Sequence, residues 1–214
     1  MKLSNFILSI VASLMLGAAV GSSFYLVPKN PSTDINIIDK DVTGARWSFK
    51  IPDSFTAKQA RLLSLAYSIA KEDGHKEPQL LQGIILQESH AGEIRSYKVA
   101  GQEMGLKTNA RYYGVAQIKL AAARDVLNKY PSMEKEYGFH TDTDEEVIAK
   151  LIDDDQFNIA VASKYLLMMK SYGYNTIREI AVAYNRGPGG AKNVDPNQHH
   201  YSKGVMAHIQ SLKF

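Results

Sequence analysis

A chain of 214 residues, 45% of them hydrophobic, is long enough to bury one core but not two. Its charged fraction of 22% excludes wholesale disorder, and its formal charge of +3 is too mild and too scattered for a nucleic-acid binder. With no cysteine, the chain can have no disulfide, no thiol catalysis and no Cys-linked lipid anchor.

Residues 6–27 carry no charge, and Lys2 is the only charged side chain before Lys29. The stretch from Phe6 to Val20 has the length of a signal h-region. Extended to Val27, it reaches the roughly 20 residues that span a bilayer. Ala19-Val20-Gly21 offers a small-residue cleavage site. Residues 1–27 therefore predict export, either as a retained membrane anchor, the reading slightly preferred, or as a cleaved signal peptide. Residues 28–54 read as a tether punctuated by Pro28, Pro31 and Pro52, in which Trp47 and Phe49 either dock on the domain or form a short strand.

From residue 55 to 214 the pattern is mostly α, as one helical domain. Thr56 or Ser54 caps a first helix with Leu62, Ala66 and Ile69 on its stripe, stopping at Gly74. A second helix runs over about 78–90, with Pro78 in its first turn and Gly92 just past its end. A third, rich in Ala, is predicted from Gln117 to about Lys129 and is ended by Pro131. Thr143-x-x-Glu146 is a capping box that opens a helix near 144–152. A long helix near 155–172 carries Ile159, Ala162, Ser163 and Leu166 on one face, with Asp153, Asp154 and Asp155 at its positive end. Thr176 starts the next, where Ile177, Ile180, Ala181 and Tyr184 share a face. A last helix spans about 199–212.

Glu88 is the residue that breaks this pattern. Leu81, Ile84, Ile85 and Glu88 fall at i, i+3, i+4 and i+7, so an ionisable group closes an apolar stripe. Burial disfavours the carboxylate, so such a group can stay protonated near neutral pH and serve as a general acid. A Glu at a helix end whose head reaches water would fit the same pattern.

Three segments then follow in order: Glu88-Ser89, Gly114-Val115-Ala116-Gln117, and Ala183-Tyr184-Asn185-Arg186-Gly187-Pro188-Gly189. The ordered triple resembles the lytic transglycosylases of the soluble-type domain family, relatives of goose-type lysozyme, over residues 56–212. The resemblance implies a lysozyme-like helical domain that acts on peptidoglycan glycan strands with no metal or other cofactor. It implies that Glu88 protonates the bond between N-acetylmuramic acid and N-acetylglucosamine, and then takes a proton from the muramic C6 hydroxyl. That hydroxyl attacks C1 and leaves a 1,6-anhydro end.

By the same analogy Ser89, Gln117, Tyr184, Asn185 and Tyr201 line or order the cleft. Each residue also has a plainer reading. Ser89 can cap local backbone, and Gln117 can sit exposed in a helix's first turn. Tyr184 offers a flat ring for sugar packing and a hydroxyl for Glu88, whereas its stripe position alone says core, and Asn185 can be a left-handed cap. Tyr201 lies in a His199-His200-Tyr201 context unlike the family's usual Glu-Thr-x-x-Tyr. The family's Gly-Leu-Met-Gln turn is here Gly-Val-Ala-Gln after Tyr113, and Lys98 to Thr108 looks inserted. That insertion leaves Met104 and Glu103 without a family counterpart.

Glu93 and Glu103 are the rival carboxylates, expected as surface charges; either one opposite Glu88 would make the protein a goose-type-like hydrolase. A non-catalytic wall-binding component of the envelope is the remaining alternative. The phosphate-loop-like run after Arg186 lacks the Gly-Lys-Ser/Thr ending, and His199-His200 lacks a spaced third ligand. The expected partners are peptidoglycan, the bacterial inner membrane if residues 6–27 are retained, and components of an envelope-spanning machine or a phage. The expected location is the periplasm.

Overall fold

Three of the helices begin at a threonine whose hydroxyl and backbone trade hydrogen bonds with a Gln or Glu three residues on. Thr56 and Gln59 open α1 (Ala57–Glu72), Thr143 and Glu146 open α5 (Asp144–Asp153), and Thr176 and Glu179 open α7 (Ile177–Ala191). The first box settles the start of α1 on Thr56 rather than Ser54. The computed structural model describes residues 36–40, 46–52, 54–93, 112–140 and 142–212, with side chains from residue 51 onward. Residues 1–27, much of the tether, Glu103 and the Lys98 to Thr108 stretch lie outside these residues. Among the described residues no helix is long and apolar enough to cross a membrane.

The described chain is mostly α. Ahead of the helices, β1 (Asn36–Lys40) and β2 (Arg46–Lys50) form an antiparallel hairpin with Asn36 opposite Lys50 and Lys40 opposite Arg46. Trp47 and Phe49 thus lie in a short strand. The remaining helices are α2 (Gln79–Ser89), α3 (Leu120–Lys129), α4 (Ser132–Glu136), α6 (Asp155–Ser171) and α8 (His200–Ser211). Asp154 caps α6 by accepting the Phe157 N–H at 2.9 Å, in keeping with the acidic run at that helix's positive end.

The third predicted helix starts late. Gln117 is not helical: β3 (Tyr112–Tyr113) and β4 (Ile118–Lys119) pair across the four-residue turn 114–117, and α3 begins only at Leu120. Pro131 follows the end of α3 but opens α4 rather than a loop. The α6 stripe is also wider than expected. Phe157, Asn158, Ile159, Val161, Leu166 and Met169 are all fully buried, which covers more than half of the helix's circumference. The reason is its central position, since α1, α3, α5 and α7 all pack against it. Around it one core cluster runs from Ile51 to Leu212.

The α2–α8 pair sets the site. Gly83 lies at their contact, where a Cβ would sit 2.8 Å from the Ile209 Cγ1 and 3.1 Å from the Val205 carbonyl oxygen. Gly204 faces the Gln87 side chain in the same seam. Small residues there let the two backbones approach closely, and that approach delivers Tyr201 to Glu88.

Candidate active site

Glu88 occupies the last turn of α2, whose Leu81, Ile84 and Ile85 are fully buried. The stripe carries the carboxyl into the domain, where it is half-buried. Removal from water raises its pKa from 4.5 to about 7, against a lesser lowering by a hydrogen bond from Tyr201. That bond runs from the Tyr201 hydroxyl to the Glu88 Oε1 at 2.5 Å. Burial first, and the Glu88 charge second, hold the Tyr201 phenol well above its ordinary value, so it stays protonated and donates. The acid therefore keeps a large protonated fraction near neutral pH and is held in place by its neighbour.

The chain leaves α2 under strain. Among the described residues His90, Ala91 and Gln117 are the non-glycine positions with positive φ, at 47°, 51° and 50°. All three flank Glu88 in sequence or share its cleft. Strain of this kind costs of order 1 kcal/mol or more per residue and persists only where the surroundings hold it. At residues 90–92 α1 holds it: the Gln59 amide donates to the His90 carbonyl at 3.0 Å and the Lys58 ammonium to the Gly92 carbonyl at 3.0 Å.

Ser89 works behind the acid. It is buried, and it does not line the cleft. Its hydroxyl donates to the Val115 carbonyl at 2.6 Å and accepts the Gly92 N–H at 2.9 Å. The plainer reading of local capping thus describes its geometry, with a further tie to the 114–117 turn. Two more side chains grip that turn. Asn158 accepts the Ala116 N–H at 2.8 Å and donates to the carbonyls of Tyr113 at 2.9 Å and Leu151 at 3.1 Å. Tyr184 donates its hydroxyl to the Ala116 carbonyl at 2.7 Å. Three helices, α2, α6 and α7, thereby fix one short turn. Gly114 makes the grip possible: its φ is 69°, and a Cβ there would lie 2.2 Å from the Asn158 amide.

This turn and α7 form the walls of a cleft of about 210 Å³ with Glu88 on its lining. Gln117, Ile118 and Lys119 come from the hairpin side, and Tyr184, Asn185 and Arg186 from α7. Tyr112 and Tyr165 add aromatic surface, and the Tyr165 ring meets Tyr184 edge-on at 5.7 Å. The Gln117 amide donates to the Gly114 carbonyl at 2.7 Å, so the side chain is ordered by its own turn. Of the described residues on this lining, Glu88 alone is a carboxylate.

Some expectations change. Tyr184 does not hydrogen-bond Glu88; that contact belongs to Tyr201, and the Tyr184 hydroxyl is committed to the turn. Asn185 is not a left-handed cap: the break falls two residues later, at Gly187, with φ 73° and ψ 162°. Asn185 remains helical and exposed on the cleft wall. Tyr201 is buried beneath the acid and does not line the cleft. Glu93 is exposed, and its carboxylate accepts the Thr56 hydroxyl at 3.2 Å, at the start of α1. His199 and His200 stack on each other at 4.7 Å.

Sequence reasoning missed Asn158, Tyr112, Lys119, Tyr165 and Arg186. Asn158 had a signal, as the one polar residue in the run Phe157-Asn158-Ile159-Ala160-Val161. Arg186 sat at the variable position of the Ala-Tyr-Asn-x-Gly-Pro-Gly segment, and Tyr112, Lys119 and Tyr165 lay on no motif. Comparison with protein-family models, with curated proteins and with solved structures returns no significant match for this chain.

Proposed function

We propose that the protein is a peptidoglycan lytic transglycosylase with a lysozyme-like fold, and that Glu88 is its single acid and base. The observation that carries this reading is a half-buried carboxyl on a cleft, with its pKa raised to about 7 and a tyrosine hydroxyl on one oxygen. A glycosidic bond needs a proton on its leaving oxygen, and a carboxyl that titrates near neutral pH can supply one. As the C1–O bond breaks, an oxocarbenium ion develops and Glu88 becomes a carboxylate. The carboxylate takes the proton from the muramic C6 hydroxyl, whose oxygen then bonds to C1. Glu88 ends protonated and no water is consumed.

An internal nucleophile has a high effective molarity, so neither a second carboxylate nor an activated water is required. The cleft supports this economy in having one carboxylate among its described lining residues. The Gln117 and Asn185 amides are suited to acetamido sugars, and the Tyr184 ring offers a flat apolar edge. Residues 6–27 would deliver the domain to the periplasmic face of the inner membrane, close to its substrate.

The test is digestion of purified peptidoglycan by the full chain in mild detergent, with muropeptides analysed by mass spectrometry. The expected products carry 1,6-anhydro ends, one water lighter than hydrolysis products. Glu88→Gln should slow their release by about 10²- to 10⁴-fold, the usual contribution of a positioned general acid. Reducing ends would instead make the protein a muramidase. A folded protein that binds glycan without cutting it would be a wall-binding component.

A further inference from the structure

We propose that Lys119 and Arg186 form an anion-binding edge of the Glu88 cleft, which selects glycan strands that still carry carboxylates on their muramoyl substituents. This rests on the glycan reading of the cleft and adds a substrate class to it.

Both side chains lie on the cleft lining and both are exposed. They come from different segments, Lys119 from β4 and Arg186 from the turn of α7 before the break at Gly187. Neither is a loose surface cation. The Lys119 ammonium lies over the Tyr112 ring, 4.9 Å from its centroid, which gives the flexible stem a preferred position. The Arg186 Nε donates to the Gly190 carbonyl at 3.1 Å, which orients the guanidinium and leaves the Nη donors for another acceptor.

Several basic side chains elsewhere in the domain are matched with acids. Lys164 pairs with Asp73, Lys150 with Asp154, Arg61 with Asp155 and Arg124 with Asp144. Among the described residues, Lys119 and Arg186 have no such partner. The sole carboxyl on the lining, Glu88, is shifted by burial and Tyr201, with neither cation among the causes. Neither cation is ion-paired with Glu88, so both remain available to a charged substituent of the sugar while the acid serves the scissile bond. A neutral oligosaccharide would leave two ordered cations unpaired in the cleft. A strand whose peptide stems bear free carboxylates would pair them with charge-assisted hydrogen bonds.

The experiment measures binding with the full-length Glu88→Gln protein, so that turnover does not consume the ligand. One probe is soluble glycan strands with peptide stems, released from purified peptidoglycan. The other is the same strands after carbodiimide amidation of their carboxylates. Native strands should bind about tenfold more tightly than amidated ones, a preference that added salt weakens. Adding Lys119→Gln and Arg186→Gln should bring that ratio close to one. Equal affinity for the two strands in the parent, or a ratio untouched by the two substitutions, overturns the inference and leaves the transglycosylase reading standing. No binding of either strand to the folded parent overturns both.

Discussion

Burial, opposed by one hydroxyl, sets the working range of the acid. Burial raises the Glu88 pKa, and the hydrogen bond from Tyr201 opposes it, because a donor to the carboxylate favours the charged form. A general acid must be protonated to act, so activity should decline as pH rises through about 7. Tyr201→Phe removes the donor and keeps the ring, so it leaves desolvation unopposed. The alkaline limb of the pH–rate profile for kcat/KM should then move to higher pH, while the maximal rate falls because the carboxyl is less firmly placed. A limb that moves down, or stays, would mean that another group governs it. Tyr184→Phe is the informative companion: its hydroxyl holds the Ala116 carbonyl, not the acid, so it should weaken the turn and leave the limb nearly in place. Periodicity placed Glu88 correctly on a buried stripe. It could not say which tyrosine would meet it, because Tyr201 lies 113 residues away and that contact depends on how two helices cross.

That crossing is decided by small residues. At Gly83 an added methyl would meet the Ile209 side chain and the Val205 backbone, neither of which can move without moving α8. At Gly204 it would meet the end of the flexible Gln87 side chain, which can swing aside. Gly83→Ala should therefore cost about 1–3 kcal/mol through overpacking, despite alanine's better helix propensity. It should also lengthen the Tyr201–Glu88 contact and shift the alkaline limb as Tyr201→Phe does. Gly204→Ala should cost less and leave the limb alone. Thermal unfolding and pH profiles of the two variants check this. Comparable losses in both would mean that the seam is more plastic than its geometry implies. Helix starts were legible because a capping box is complete within four residues, as at Thr143 and Glu146. The β3–β4 hairpin was not legible, since its strands are two residues long and the turn between them is held by Asn158, 42 residues beyond Ala116. With no hydrophobic alternation to reveal it, Gln117 looked like the first residue of a helix. The break at Gly187 fell just beyond the position predicted, for a similar reason: Asn and Gly both tolerate left-handed backbone, and local sequence does not choose between them.

The whole domain bears the cost of keeping one carboxyl in this setting. Its core is a single cluster from Ile51 to Leu212, and the acid is seated within the α2–α8 packing that belongs to it. Protonation of Glu88 is therefore linked to global unfolding rather than to a loosely attached part. The folded state holds this proton up to about pH 7, whereas an unfolded chain releases it near 4.5. Between those values the native state binds more protons, so the contribution of Glu88 to stability falls as pH rises across that window. Below it the carboxyl is neutral in both states and costs nothing; above it the charge is fully present and poorly solvated. Glu88→Gln keeps the shape, stays neutral, and can still accept the Tyr201 hydrogen bond. Its advantage over the parent should be close to nil at pH 4 and grow to about 3 kcal/mol at pH 8, the size that a shift from 4.5 to about 7 implies. Urea unfolding of both proteins at the two pH values measures it. An advantage equal at both would mean that the acid is solvated in the fold, and the raised pKa on which the proposed chemistry depends would go with it. An advantage that appears only at the higher pH would identify the same desolvation as the source of acidity at neutral pH and of lost stability, a trade expected where a site is kept for function rather than for the fold.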